Sequence, residues 1–427
     1  MRSEEEFGLK MIETAEKQEK VVLVGVSLKD NDDTEKSLLE LKELANTAGA
    51  QVVGMIIQNR EMPSAATYVG KGKLEEIAEK IESSGADGII CDDELTPAQM
   101  NNLSDALNVK IMDRTMLILD IFAKHATTSE GKLQVELAQL KYRSSRLVGA
   151  NSSLSRVSYG IGMRGPGEKK LEVDRRLIRS RIADLKAELD EMEKSRDVTR
   201  KLRKKGNIPV VAIVGYTNAG KSTLLNWLTG AGILEADMLF ATLDPTTRNY
   251  SFESGEEVLF TDTVGFIRKL PHHLIEAFGS TLEEAKYADV ILHVIDASDI
   301  EADVKMHVVY DTLRKLKVTD KPIIAVFNKT DVVYWNEQFR DLAAEECVSV
   351  SAKTGEGIPK LLEAIERVLR QKKMYYEGTI GYGNAGLIAQ IRRTGQMIQE
   401  DYNEDGIFIK AYVTPEIFGK LTKTEGN

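Results

Sequence analysis

Residues 215–222 read GYTNAGKS, and this stretch decides the fold of the central part of the chain. It matches G-x-x-x-x-G-K-[ST], in which backbone N–H groups surround a phosphate at the start of a helix. The apolar run 209–214 predicts a buried strand before it, and 223–228 predicts a short helix after it. We expect Lys221 to reach the β- and γ-phosphates and the Ser222 hydroxyl to bind Mg²⁺. An ordinary glycine turn is the alternative that the loop alone leaves open.

Three more motifs follow in order, each directly after an apolar run that predicts a strand: DTVG at 262–265, NKTD at 328–331 and SAK at 351–353. Asp262 is expected to hold a water on Mg²⁺, and the Gly265 N–H to meet the γ-phosphate. Each motif is weak alone, but four in this order favour a nucleotide site over a chance match.

The base preference follows from hydrogen-bond chemistry. The Asp331 carboxylate can accept two bonds only from an edge with adjacent N–H donors, which guanine has and adenine lacks. Asn328 could donate to N7 of the base, and the Ala352 N–H to O6. A capping turn is the alternative interpretation of residues 328–331.

Composition limits the class of protein. The chain has 427 residues, enough for about three domains. No apolar run reaches the 18 residues of a membrane span, and the acidic start MRSEEEFGLK is no signal peptide. Cys91 and Cys347 fall in different predicted domains, which suits a reducing compartment. We therefore expect a cytoplasmic protein, with peripheral membrane association left open.

Charge is distributed unevenly along the chain. The net charge is −10, yet residues 130–205 hold 20 Lys and Arg against 11 Asp and Glu. A basic element between acidic domains suggests a polyanionic partner, and RNA rather than DNA is expected. A solvated helix face with paired charges is the alternative.

The pattern of elements predicts a multi-domain α/β fold. An N-terminal α/β domain (1–128) has strands at 21–26, 50–57, 88–91 and 109–112, with helices between them. A long two-helix element (129–206) has helices over 130–146 and about 170–203, joined by a glycine-rich basic loop. A P-loop GTPase domain with a mostly parallel sheet (207–371) and a small C-terminal α/β domain (372–427) follow. In the last domain we predict a helix near 385–398. The segment VGKGK at 69–73 lacks the full phosphate-loop spacing, so a helix-start turn is the favoured interpretation.

The motifs together resemble the HflX family of ribosome-associated GTPases, in the translation-factor-related branch close to the Obg-like GTPases. FATLDPTTR at 240–248, DTVGFIRKLP at 262–271 and RGPGEKKLEVDRR at 164–176 carry the resemblance, with the order of domains. One departure is Lys169, where the resemblance leads us to expect Thr.

The resemblance implies a GTP- and Mg²⁺-dependent factor that binds the large ribosomal subunit and splits ribosomes under stress. It implies RNA contacts from the loop between the two helices, and we expect a monomer off the ribosome. The predicted RNA-contacting residues are Arg164, Gly165, Pro166, Gly167, Lys169 and Lys170. An ordinary loop is the alternative for this segment.

The predicted catalytic residues are Lys221, Thr242 and Asn218, and the predicted metal ligands are Ser222 and Thr242. Thr242 matches a switch threonine, although Thr246 and Thr247 are rivals. Asn218 could hold K⁺ beside the phosphates. The predicted nucleotide-binding residues are Gly215, Tyr216, Thr217, Asn218, Ala219, Gly220, Lys221, Ser222, Phe240, Ala241, Thr242, Leu243, Asp244, Asp262, Thr263, Val264, Gly265, Asn328, Lys329, Thr330, Asp331, Ser351, Ala352 and Lys353.

Phe266 follows DTVG, where many GTPases place a glutamine that orients the attacking water. Phe has no group for that task, so we expect slow hydrolysis alone and stimulation by the ribosome. His272 and His273 could replace the glutamine, but a helix start after Pro271 is favoured. Two other functions stay open: an RNA-remodelling NTPase with a second nucleotide site in the N-terminal domain, and a small-molecule P-loop kinase.

Overall fold

The computed structural model describes residues 18–28, 33–149, 166–230, 239–240, 243–271, 274, 284–333 and 340–425. The chain divides into two compact units, Met1–Ile118 and Leu119–Asn427. The predicted fold class, a multi-domain α/β protein, is confirmed by three sheets with helices around them.

The first unit contains a four-stranded parallel sheet in the order β2-β1-β3-β4. Val22, Val24, Ile77 and Leu103 are fully buried between sheet and helices. Gly70 precedes α2, so the VGKGK segment is a helix start, as predicted. The strands are β1 (Lys20–Leu28), β2 (Gln51–Arg60), β3 (Gly88–Cys91) and β4 (Lys110–Asp113), and the helices are α1 (Thr34–Thr47), α2 (Lys71–Ser84) and α3 (Pro97–Leu107), with α4 (Arg114–His125) crossing into the second unit.

After the end of α4, the second unit continues with a pair of antiparallel helices, α5 (Ser129–Gly149) and α6 (Pro166–Lys205), which we call the arm. The partners run in opposite directions along the two helices, because Arg181 binds Glu136 and Arg196 binds Glu130. The predicted two-helix element is therefore confirmed. Helix α6 starts at Pro166 rather than near residue 170, because proline is well suited to the first helical position.

The RNA-contact prediction falls mainly on this helix start. Pro166, Gly167, Lys169 and Lys170 belong to the first turns of α6 and not to the predicted loop. Arg164 and Gly165 lie outside the described residues.

The nucleotide domain is built on a six-stranded sheet in the order β10-β9-β8-β5-β7-β6. Five strands are parallel, and β6 is an antiparallel edge strand that forms a hairpin with β7. The three central parallel strands, β9, β8 and β5, are almost entirely buried, as burial between two helix layers requires. The elements are β5 (Val210–Gly215), α7 (Lys221–Thr229), β6 (Thr246–Ser251), β7 (Glu257–Asp262), β8 (Val290–Asp296), α8 (Ala302–Lys315), β9 (Ile323–Asn328), β10 (Glu346–Ser349) and α9 (Ile358–Arg370).

The C-terminal part is a three-stranded antiparallel sheet, β11-β13-β12, packed on α10 and α11. The helix predicted over 385–398 is too long, since α10 ends at Thr394 and a strand follows. Gly395 allows this reversal, because a Cβ there would lie 2.8 Å from the carbonyl oxygens of both Ile391 and Tyr412. The elements are β11 (Met374–Ile380), α10 (Ala385–Thr394), β12 (Gln396–Asn403), β13 (Gly406–Val413) and α11 (Pro415–Glu425).

Candidate nucleotide site

The loop between β5 and α7 requires glycine at both ends. A Cβ on Gly215 would lie 2.3 Å from the Val294 carbonyl oxygen, and one on Gly220 would lie 2.2 Å from Asn328 Nδ2. Gly220 also has a φ of +90°, which L side chains rarely adopt. The loop therefore runs close to β8 and β9, with its backbone N–H groups at the start of α7.

Lys221 is buried inside this loop, where its Nζ donates to the Tyr216 carbonyl oxygen at 2.9 Å. Burial lowers the pKa of Lys221 to about 8, although the charge of Asp262 acts in the opposite direction. A Cβ on Gly265 would come within 3.0 Å of the Lys221 Nζ. An ammonium group that is shielded from water attracts a phosphate more strongly than an exposed one, and Lys221 Nζ is shielded in this way between the two loops.

Ser222 and Asp262 place a hydroxyl oxygen and a carboxylate oxygen side by side. The Ser222 hydroxyl donates to Asp262 Oδ2 at 2.9 Å, and Asp262 is fully buried at the end of β7. Hydroxyl and carboxylate oxygens suit Mg²⁺, which commonly takes one or two protein ligands beside phosphate and water. Over the described ranges, no cluster of three or more His, Cys, Asp or Glu residues could hold a metal by itself. The Ser222 hydroxyl and the Asp262 carboxylate fit a Mg²⁺ ion that is bound together with a nucleotide. Thr242, the other predicted ligand, lies outside the described residues.

The NKTD and SAK segments meet beside the phosphate loop. Asn328 Nδ2 donates to the Ala219 carbonyl oxygen at 2.9 Å, and the Ala352 N–H donates to Asn328 Oδ1 at 2.9 Å. Asn328 thus joins the phosphate loop to the SAK segment, and the contacts of Asn328 and the Ala352 N–H with the base stay predictions. The Ser351 hydroxyl donates to Asp331 Oδ1 at 2.7 Å and orients a carboxylate that is otherwise exposed.

The DTVG segment is fixed to the phosphate loop through its backbone. The Thr217 N–H donates to the Phe266 carbonyl oxygen at 2.8 Å, and the Phe266 N–H donates to the Gly215 carbonyl oxygen at 3.1 Å. The Phe266 ring is only 1% exposed, and the Thr263 hydroxyl donates to the Ile213 carbonyl oxygen at 2.8 Å. These side chains hold the segment in place, so a nucleotide would meet its backbone.

Phe240 and Asp244 of the FATLD segment contact the junction between α4 and α5. Asp244, predicted to bind nucleotide, accepts hydrogen bonds from the backbone and hydroxyl groups of Thr127 and Thr128. The Phe240 carbonyl oxygen lies 2.9 Å from Nδ1 of His125. Ala241 and Thr242, like His272 and His273 further on, lie outside the described residues.

Comparison with known proteins agrees with this geometry. Family models match three consecutive parts of the chain: "GTP-binding GTPase N-terminal" over residues 35–123, "GTP-binding GTPase Middle Region" over 125–203 and "50S ribosome-binding GTPase" over 210–329. The GTPase HflX of Lacrimispora saccharolytica is 59% identical over 411 residues, which cover 96% of this chain and 97% of that protein. The chain belongs to the HflX family of GTPases.

A second HflX relative agrees. The GTPase HflX of Escherichia coli is 44% identical over 350 residues, which cover 81% of this chain and 82% of that protein. A crystal structure of a GTP-binding protein from Sulfolobus solfataricus in complex with GDP is 26% identical, with a TM-score of 0.42, and covers 82% of this chain and 98% of that one.

HflX membership confirms the predicted enzyme class, a GTPase that converts GTP to GDP and phosphate, and not a small-molecule kinase. Among the helices in the described ranges, none is both long and apolar enough to cross a membrane.

Three features of this HflX-family chain were missed from the sequence. Thr127 and Thr128 bind Asp244, a contact that no motif in the sequence indicates. Buried Glu256 pairs with Lys373 between the nucleotide domain and the C-terminal part. His293 is buried on β8 with Nδ1 4.0 Å from Asp341, and burial lowers its pKa to about 4. An isolated charge or histidine in the sequence carries no sign of its partner, so these pairs could not be predicted.

Proposed function

We propose that this HflX-family GTPase binds the large ribosomal subunit in its GTP form and splits or rescues ribosomes under stress, with hydrolysis permitting release. The observation that carries the proposal is the arm, a charged helical pair that stands immediately before the nucleotide domain in one compact unit. The family name of the model over 210–329, 50S ribosome-binding GTPase, supports the large subunit as the partner.

The arm is the part that we assign to ribosomal RNA. Residues 130–205 carry a net charge of +9 in a chain of net charge −10. Contacts between Lys or Arg and phosphates release counterions and supply much of the affinity for nucleic acid. Following the family resemblance, we assign the start of α6 to the RNA backbone, including Lys169 and Lys170. Binding should therefore weaken steeply as salt is raised.

In the proposed nucleotide complex, Lys221 would bind the β- and γ-phosphates, the Ser222 hydroxyl would ligate Mg²⁺, and Asp262 would hold a water on the ion. When bound, Mg²⁺ neutralises charge on the phosphates. Thr242 is assigned to the γ-phosphate side of the same ion, so that loss of this phosphate frees the FATLD segment. Asp331, held by Ser351, selects guanine.

Hydrolysis is proposed to depend on the ribosome. Phe266 is buried and carries no donor or acceptor, so it cannot orient the attacking water. We assign the missing group, or the order that replaces it, to the large subunit. Asn218 has a φ of +61° at the rim of the loop, where a bound K⁺ would add positive charge beside the phosphates. Equal rates in Na⁺ and K⁺ would remove that role.

Sedimentation with purified large subunits tests the proposal. The full chain should co-sediment at least tenfold better with a non-hydrolysable GTP analogue than with GDP. Equal binding in both nucleotides would contradict the proposed gating, and no binding in either would contradict the choice of partner.

Asp331→Asn provides the matched control, because asparagine favours xanthine, whose C2 carbonyl accepts where guanine donates. With this variant the xanthosine triphosphate analogue should restore binding and the guanosine analogue should not. This control separates a nucleotide effect from unfolding, since one protein is compared in two nucleotides.

A further inference from the structure

The Asp244 carboxylate accepts four hydrogen bonds although it is only half-buried. Its Oδ2 accepts from the Thr127 N–H at 2.9 Å, the Thr127 hydroxyl at 2.7 Å and the Thr128 N–H at 2.9 Å. Its Oδ1 accepts from the Thr128 hydroxyl at 2.5 Å. We call this contact between Asp244, Thr127 and Thr128 the latch.

The latch lies at the N-terminus of α5, the first helix of the arm. The Thr128 hydroxyl also accepts the Gly131 N–H at 3.0 Å, so Thr128 caps α5 while it binds Asp244. A negative charge is favourable at this end of a helix. Burial would raise the pKa of Asp244, but the hydrogen bonds from Thr128 and Thr127 outweigh it and leave the pKa below its ordinary value.

A second anchor lies four residues earlier in the chain. Phe240 has a φ of +58°, and its carbonyl oxygen lies 2.9 Å from His125 Nδ1. Its ring packs edge-on against that of Phe122, with the two ring centroids 4.7 Å apart. Phe240 and Asp244 therefore bracket Thr242 in sequence, and both bind the α4–α5 junction.

We propose that Asp244 is a positioning residue for the GTPase reaction: through Thr127 and Thr128 it couples the state of the nucleotide to the base of the arm. In the GTP form the latch is closed, and loss of the γ-phosphate opens it. The coupling is reciprocal, so a closed latch favours GTP over GDP by the same factor by which GTP favours closure. The proposal rests on the proposed role of the γ-phosphate, but not on any ribosomal partner.

Gly131 offers a way to open the latch without touching the nucleotide site. A Cβ at this position would lie 2.3 Å from Asp244 Oδ1, so Gly131→Ala should displace the carboxylate while favouring helix formation in α5. Gly386→Ala is the matched control, since Gly386 also lies in the first turn of a helix and its Cβ would meet nothing within 4 Å.

The first measurement is nucleotide affinity of the full chain without ribosomes. Gly131→Ala should reduce the ratio of affinities for a GTP analogue and GDP by about tenfold, and Gly386→Ala should leave it within twofold of the original. Asp244→Asn should act like Gly131→Ala, and Thr127→Ser, which keeps the hydroxyl, should act like the control. An unchanged ratio in both Gly131→Ala and Asp244→Asn would overturn the proposal.

The second measurement is hydrogen exchange at the Thr127 and Thr128 amides, which donate directly to Asp244. Exchange should be at least fivefold slower with the GTP analogue than with GDP, and Gly131→Ala should abolish the difference. Slower exchange in GDP would overturn the proposal, because the latch would then belong to the product state. Neither measurement includes ribosomes, so failure of ribosome binding and failure of the latch are distinguishable.

Discussion

The β6–β7 hairpin is held at its two ends by contacts of opposite character. At its open end, beside the nucleotide site, the half-buried Asp244 is bound by two threonines. At its tip (residues 252–257), Glu256 is 0% exposed and pairs with Lys373, and Gln396 donates to it at 2.9 Å. Breaking hydrogen bonds that are exposed to water costs little free energy, whereas separating a buried charge from its partner costs a large amount. We therefore expect the contacts at the tip to persist while the latch opens and closes.

Backbone contacts reinforce the attachment of the tip. The Met397 N–H of β12 donates to the Ser254 carbonyl oxygen at 3.2 Å, and Arg393 binds Glu257 at 3.0 Å. A Cβ on Gly255 would lie 2.8 Å from the Arg392 carbonyl oxygen, which shows how closely the two backbones approach. The C-terminal sheet is therefore attached to the hairpin through both backbone and side-chain contacts.

The largest expected effect comes from breaking the tip. Lys373→Met leaves Glu256 buried and uncompensated, and should destabilise the chain by about 3–5 kcal/mol. Denaturant unfolding measures this, with Lys372→Met at an exposed neighbouring position as the control. Adding Glu256→Gln to Lys373→Met should recover most of the loss. If the single variant unfolds like the original chain, the tip is not the permanent contact that its burial indicates.

The next effect concerns the nucleotide. Lys221→Ala removes a charge-assisted contact to the phosphates and should weaken GTP binding by about 100-fold or more. In this variant, GTP at a concentration that saturates the original chain should no longer protect the Thr127 and Thr128 amides, while amides at the tip should exchange as before. Loss of protection at both ends would mean that the hairpin responds as one piece.

The smallest effect is a difference in titration between two carboxyls of the hairpin. Burial raises the pKa of Glu256 above its ordinary 4.5, while the threonine hydrogen bonds leave Asp244 below 3.8 despite burial. As the pH falls through the raised pKa of Glu256, protonation removes a buried charge at the tip. The latch loses its contribution to stability only as the pH falls further, through the lowered pKa of Asp244. Carboxyl ¹³C NMR should show Glu256 titrating first, and the reverse order would contradict the comparison.

The sequence predicted the parts of the molecule whose pattern is local. The phosphate loop, the motif-bearing strands and both helices of the arm follow from apolar periodicity and glycine position. Strand β12 was missed because Gln396–Asn403 is mostly polar and continues a helical pattern; its pairing with β13 decides its structure. The contacts of Asp244 and Glu256 bring together residues more than 110 positions apart, and neither partner has a motif that names the other.

The antiparallel pairing of α5 and α6 has a mechanical consequence. Helix α6 has 40 residues and is therefore about 60 Å long. If it pivots as a rigid rod about the end nearest the nucleotide domain, a tilt of about 5° displaces its far end by about 5 Å. A small shift of the Asp244 carboxylate would in this way become a displacement of about 5 Å at the far end of α6, where the arm is proposed to meet RNA.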